Sequence, residues 1–145
     1  MANPLVAQGS LNRLLASVVI NAFPQLNVTA SYLGKAGIKL SLQGEAVTYL
    51  PTLTGQVTSP DPYMGTEIMM DLIKSQALAN QYKLQMESNA LIGDVLVYPD
   101  AAPLNPYQIV NCSIKSVREL DFSGESYAFM VTLGGYYYVN SNLYG

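Results

Sequence analysis

The spacing of hydrophobic and polar residues changes in the middle of the segment from Tyr63 to Gly93. From Thr66 to Ile73, apolar and polar positions alternate, which predicts a β-strand with one more apolar face. From Gln76 to about Ser88, helix-forming residues dominate and Gly and Pro are absent, which predicts an α-helix. The pattern therefore predicts one strand followed directly by one helix.

The predicted helix has a single apolar stripe, formed by Leu78, Ala79, Tyr82 and Met86. Ser75 is predicted to cap its first turn, because a serine hydroxyl accepts a hydrogen bond from a free amide there. Ala77 and Leu84 lie on the opposite side, with Leu84 about 200° from Tyr82 around the helix axis. We expect the stripe to pack against a sheet and the opposite side to face solvent or a partner.

Alternating segments on both sides of this unit predict further strands. Three of them precede it and are predicted to form a meander: Leu14–Ala22, Leu26–Tyr32 and Ile38–Leu42. Residues 47–58 have strand composition, but Pro51 limits them to an edge strand or an extended loop. After the helix, strands are predicted within residues 95–98, 108–118, 127–133 and 136–139, with a bend at Gly134-Gly135 and tyrosine rings on both faces of the last one.

These elements predict a mainly β protein, a β-sandwich or barrel of about eight strands with one flanking helix. A length of 145 residues is that of one domain, so we expect a single domain over 1–145, with residues 1–10 as an N-terminal arm.

Charged residues make up only 12% of the chain, about half the ~25% usual in soluble domains. Either tyrosine, serine and asparagine cover a monomer's surface, or much of the surface faces other copies, since interface cores are poor in charge. The net charge of −3 and seven scattered basic residues argue against tightly bound nucleic acid. Neither a signal peptide nor a run of ~18 apolar residues is present, so we expect synthesis in a cytoplasm and no membrane binding by the chain itself.

The residue types required for most catalytic sites are missing. The chain has no histidine and one cysteine, which excludes histidine-based triads and zinc-finger sites. Glu67 and Asp71 share a strand face but are roughly 13 Å apart, too far for paired-carboxylate chemistry. Cys112 is predicted to be a buried apolar residue. We therefore expect no enzyme, no cofactor and no metal site.

The chain resembles the tail tube proteins of contractile-tailed bacteriophages. The similar residues follow one another along most of the chain: Lys74 to Ala79, then Tyr82, Gln85 and Glu87, then Ala90 to Gly93, Leu104 to Tyr107 and Gly135 to Asn140. The similarity lies in the order and spacing of these residues and includes no catalytic motif.

The resemblance implies a β-sandwich with a flanking helix, assembled as hexameric rings that stack into a hollow tube. Such a tube lies in the virion tail, inside a contractile sheath, is assembled in the host cytoplasm, and conducts the tape measure protein and then DNA. An acidic composition suits this role, because an acidic lumen repels phosphate. Two alternatives stay open: a tube subunit of a contractile secretion or killing machine, and a monomeric β-barrel that binds an apolar ligand.

On the tube interpretation, the residues predicted to contact other subunits or the sheath are Leu5, Val6, Val19, Ala77 and Leu84. A single exposed leucine is also common on ordinary surfaces, so Leu84 fits either a contact or plain exposure to solvent. The polar positions that could line the lumen are Asn27, Thr29 and Ser31, or Lys39, Ser41 and Gln43, with Glu67 and Asp71 as a further pair. The residues themselves do not choose between these sets.

Overall fold

The computed structural model describes residues 7–144, with the backbone alone for Tyr144. Across these residues the chain forms eight strands: β1 Ser17–Ile20, β2 Leu33–Gln43, β3 Val47–Pro51, β4 Gln56–Pro60, β5 Tyr63–Ile73, β6 Leu91–Tyr98, β7 Tyr107–Arg118 and β8 Ala128–Tyr138. The helices are α1, Ala77–Ser88, and the short α2, Ser141–Tyr144; two 3-10 turns cover Pro24–Leu26 and Ala30–Tyr32.

Six of the strands found within residues 7–144 form one antiparallel sheet, in the order β1-β6-β7-β8-β5-β2. The sheet is curled, and α1 lies on it, so the predicted mainly β fold with one flanking helix is confirmed. The longest unbroken pairing joins β5 to β8, from Tyr63 opposite Tyr138 to Ile73 opposite Ala128. β3 and β4 pair with each other, outside this sheet.

The core lies on one face of the curled sheet. β5 contributes Ile68, Met70 and Leu72, which are buried together with residues of β1, β6, β7 and β8. α1 covers this face with Leu78, Ala79 and Tyr82, and Met86 packs at its margin, so the predicted stripe is confirmed. The Tyr82 hydroxyl donates a hydrogen bond of 2.6 Å to the Leu26 carbonyl, which joins the helix to the first 3-10 turn.

The predicted strand over Leu26–Tyr32 is wrong. The segment forms the two 3-10 turns, and only Val28 makes a bridge, to Val18. Pro24 begins the first turn, and the Asn27 side chain accepts a hydrogen bond from the Ile20 amide at 2.7 Å, so local contacts replace a ladder. The apolar alternation reflects the burial of Leu26 and Val28 from turns.

Three further predictions also need correction. The first strands do not form a meander, because β1 and β2 lie at opposite edges of the sheet. Ser75 does not cap α1: Gln76 occupies the N-cap position and makes no side-chain capping hydrogen bond. β8 runs through Gly134 and Gly135 as one strand, and a Cβ on Gly135 would lie 2.8 Å from the Cys112 sulfur, so close packing explains that glycine better than a bend.

Candidate assembly surfaces

The face of the sheet opposite the core is polar. In the β2–β5 ladder Lys39 lies opposite Met69, Ser41 opposite Glu67 and Gln43 opposite Gly65. Since side chains alternate between faces along a strand, these three residues share one face with Glu67 and Asp71. The structure thus brings together five of the eight residues that were considered for a lumen.

The other three candidates do not belong to this face. Asn27 ends the first 3-10 turn, and Ser31 lies within the second. The hydroxyls of Thr29 and Ser31 are 3.0 Å apart and bond to each other. These residues therefore lie in the β1–β2 connection, and the expectation that they form a strand with its polar side exposed is wrong.

An ion pair crosses the polar face between β5 and β7. The Lys115 ammonium lies 2.6 Å from a carboxylate oxygen of Glu67. This hydrogen bond, and a second one from Gln43, hold the pKa of Glu67 below its usual value. Arg118 lies opposite Met130 and adds a charge to the same face.

The polar face is therefore not acidic. It carries three basic side chains, Lys39, Lys115 and Arg118, and the carboxylates of Glu67 and Asp71, and the Asp94 carboxylate lies beside Asn111 where the face continues, so the two signs balance. The net negative charge of the chain resides elsewhere, so this face gives no support to the expectation of an acidic lumen that repels phosphate.

A group of tyrosines continues the polar face at the end of β8. The ring centroids of Tyr63 and Tyr136 are 5.3 Å apart, and those of Tyr136 and Tyr138 are 6.0 Å apart. The Asn111 amide donates to the Tyr136 hydroxyl at 2.8 Å. Tyr137 points to the other face, where its ring packs 5.6 Å from that of Tyr107, so the tyrosines of this strand do lie on both faces.

β3 and β4 form a hairpin in the segment for which the sequence predicted only an edge strand or an extended loop. Its ladder runs from Val47 opposite Pro60 to Pro51 opposite Gln56, and residues 46–60 contain no charged side chain. Leu53 at the tip is fully exposed to solvent, and three further apolar side chains of the hairpin are about half exposed: Tyr49, Leu50 and Val57. The combination of strand composition and missing charge was a usable signal for an interaction surface.

The residues predicted to contact partners occupy different parts of the surface. Val19 is half-buried in β1 and lies opposite Leu96, and Ala77 and Leu84 are exposed on α1. Leu84 is 47% exposed, as expected for the side of the helix away from the core. Leu5 and Val6 lie outside the described residues.

Two depressions adjoin the end of β6. An apolar groove of about 440 Å³ has no charged residue in its lining, which consists of Leu15, Ser17, Tyr98, Pro99, Ala101, Ala102, Leu104 and Pro106. A larger open cleft of about 670 Å³ runs along β2, where apolar Leu33, Ile38 and Leu40 meet the charged side chains of Arg13, Lys35 and Asp100.

The single cysteine lies in the core. Cys112 is buried, and burial, with the nearby Asp94 carboxylate, raises the pKa of its thiol to about 12, which leaves it protonated at neutral pH. Among residues 7–144, no three carboxylate or cysteine side chains are grouped closely enough to hold a metal ion. No helix in this part of the chain is long and apolar enough to cross a membrane.

No known protein-family model matches the chain, and no curated protein shows significant similarity to it. The surfaces described above are therefore the basis for assigning a function.

Proposed function

We propose that this protein is the structural subunit of a phage tail tube, which assembles into stacked hexameric rings around a lumen for the tape measure protein and DNA. A contractile sheath would surround the tube. The observation that carries the proposal is the uncharged β3–β4 hairpin with its exposed apolar side chains, because it marks the protein as one that associates.

The hairpin is poorly suited to solvent. A two-stranded hairpin outside a larger sheet is marginally stable in water, and its free edges invite pairing with other chains. Lysines or other charges usually block such edges, but residues 46–60 have none. Burial of Leu50, Leu53 and Val57 against another chain would remove apolar side chains from water and cover the edges.

The apolar groove at the end of β6 is a matching surface on a second copy of the chain. Neither the hairpin nor the groove lining carries a charged side chain, so their contact buries no unpaired charge. The two surfaces are different, and a contact between different surfaces continues from copy to copy, either closing as a ring or extending as a filament. Rings that stack into a tube use contacts of this kind.

The polar face of the sheet is the surface we assign to the lumen. Its charges are of both signs, and the Glu67–Lys115 pair neutralises two of them locally. A surface with mixed, paired charges and hydroxyl and amide groups such as Ser41 and Gln43 holds a passing polyanion weakly, because tight binding needs clustered cations. We therefore propose that DNA slides through the tube because mixed, paired charges hold it weakly, and not because an acidic lumen repels it.

One observation favours a second function. The open cleft along β2 has apolar walls and a few charged side chains, Arg13, Lys35 and Asp100. Mostly apolar walls with a few polar groups would suit a monomeric protein that binds an apolar ligand. A tube subunit of a contractile secretion or killing machine would share every surface described for the phage tube.

Negative-stain electron microscopy and size-exclusion chromatography of the purified protein test the proposal. We expect rings or tubes from the wild type, and subunits near 15.7 kDa from Leu53→Lys. Leu120→Lys, which places the same charge on an exposed leucine of the β7–β8 loop, is the matched control and should assemble. A wild-type protein that stays near 15.7 kDa at all concentrations would contradict the tube and favour the ligand-binding alternative.

A further inference from the structure

A joint separates the β3–β4 hairpin from the sheet. The β2–β5 ladder ends at Gln43 opposite Gly65, and the hairpin ladder begins at Val47 opposite Pro60. In the described chain, residues 44–46 and 61–62 belong to neither ladder. Gly44 has φ +87°, a conformation that residues with a Cβ rarely adopt, so the chain changes direction there.

Asn140 spans this joint from the end of β8. Its side-chain amide nitrogen donates to the Ala46 carbonyl at 3.0 Å and to the Asp61 carbonyl at 2.7 Å, one oxygen from each strand of the joint. Its backbone has φ +54°, which asparagine tolerates better than most residues. The preceding residue, Val139, donates its amide to the Pro62 carbonyl at 3.1 Å.

Two further hydrogen bonds at the joint connect its two segments to each other. The Asp61 amide donates to the Ala46 carbonyl at 2.9 Å, and the Thr48 hydroxyl donates to the Asp61 carboxylate at 3.0 Å. Both join the segment that enters the hairpin, Ala46 to Thr48, to Asp61 in the segment that leaves it, and neither reaches β8. Asn140 ties both strands at once to the segment that leaves the sheet.

We propose that Asn140 is the positioning residue that holds the β3–β4 hairpin at a fixed angle to the sheet. Its biological value rests on the proposed function: a hairpin already held in one direction loses less conformational freedom when it docks on a second copy. The two side-chain hydrogen bonds of Asn140 to the Ala46 and Asp61 carbonyls, called the latch below, lie within the single subunit and are testable without assembly.

Distances between spin labels measure the hairpin angle. Labels at Thr54→Cys, on the exposed hairpin tip, and Gln81→Cys, on the exposed side of α1, report on it, while the buried Cys112 stays unlabelled. The measurements use the Leu53→Lys background, which keeps the subunits separate. We expect a narrow distance distribution with Asn140 and a broad one with Asn140→Gly, which keeps the backbone conformation and removes the amide.

Two further variants make the test specific to the side-chain amide of Asn140. Asn142→Gly, in the same segment, is the matched control, because Asn142 is exposed and takes no part in the latch; its distribution should stay narrow. Asn140→Asp tolerates the same φ but offers no N–H donor, so it should broaden the distribution as glycine does. Amide exchange at Val139 should become about tenfold faster in both Asn140 variants, because the loss of the two Asn140 side-chain hydrogen bonds makes it easier to open the neighbouring Val139–Pro62 bond.

An unchanged distribution in Asn140→Gly, a narrow one in Asn140→Asp, or equal broadening in Asn142→Gly would overturn the latch. None of these results depends on whether tubes form. If the wild type makes no rings while the latch variants behave as expected, the proposed function is wrong and the latch stands.

Discussion

The hydrogen bond between Tyr82 and Leu26 gives the sharpest test of how the helix is held on the fold. The Tyr82 side chain is fully buried, and its hydroxyl donates to the Leu26 carbonyl at 2.6 Å across a sequence separation of 56 residues. The substitution Tyr82→Phe removes the donor and keeps the ring. The carbonyl is then left in an apolar environment without this partner.

The expected cost follows from that geometry. A net hydrogen bond contributes about 0.5–1.5 kcal/mol, and a buried carbonyl left unsatisfied costs about 1–3 kcal/mol. We therefore expect Tyr82→Phe to lower the free energy of unfolding by about 1–3 kcal/mol. Tyr49→Phe removes a hydroxyl from an exposed hairpin residue and should stay within about 0.5 kcal/mol of the wild type.

Urea unfolding followed by circular dichroism measures this difference. The Leu53→Lys background is used throughout, because the proposed association would add a concentration-dependent stabilisation. If Tyr82→Phe and Tyr49→Phe are equally stable, the hydroxyl does not pair with the Leu26 carbonyl and the helix is held by apolar contact alone.

The pH dependence of the free energy of unfolding gives a second test of the burial of Tyr82. Burial raises the pKa of Tyr82 in the folded protein, while the unfolded chain ionises near its usual pKa of about 10. Above that pH the folded state binds more protons than the unfolded state, so stability falls by up to ~1.4 kcal/mol per pH unit from this group. Tyr82→Phe should lose less stability than the wild type between neutral pH and pH ~11, and equal losses would refute burial of the hydroxyl.

Three further predictions concern other parts of the molecule. Leu84→Lys should change subunit stability by no more than ~0.5 kcal/mol and reduce the proposed association with tube or sheath, measured by urea unfolding and by electron microscopy; an unstable monomer would instead place Leu84 in the core. Gly135→Ala should lower the free energy of unfolding by about 1–3 kcal/mol, because its Cβ would lie 2.8 Å from the Cys112 sulfur. The control Gly65→Ala places its Cβ where no atom lies within 4 Å, so it should keep wild-type stability in the same urea assay. The hydrogen bond from Lys115 lowers the pKa of Glu67, so the ion pair stabilises the fold at neutral pH and this stabilisation is lost as the pH falls through the folded-state pKa. Glu67→Gln should therefore lose less stability than the wild type when urea unfolding is measured from pH 7 downward. An identical pH profile would show that the pair adds no stability.

Periodicity alone determined the elements whose burial is one-sided. β5 alternates because the core lies on one face and the polar surface on the other, and α1 shows its stripe because Leu78, Ala79 and Tyr82 meet the core. The same rule placed Leu84 on the exposed side of the helix. The missing histidine and sparse charge likewise predicted surfaces for association rather than a catalytic site.

The tertiary structure decided the conformation of segments whose sequence pattern two different structures could produce. Leu26 and Val28 alternate with polar residues as a strand would, but buried side chains in consecutive turns produce the same spacing. Which polar residues share a face depends on strand register, and register joins Ser41 to Glu67 across 26 positions of sequence. The latch of Asn140 on Ala46 depends on β8 ending beside the joint of the hairpin, because hydrogen bonds between distant residues require a fold that has already brought them together.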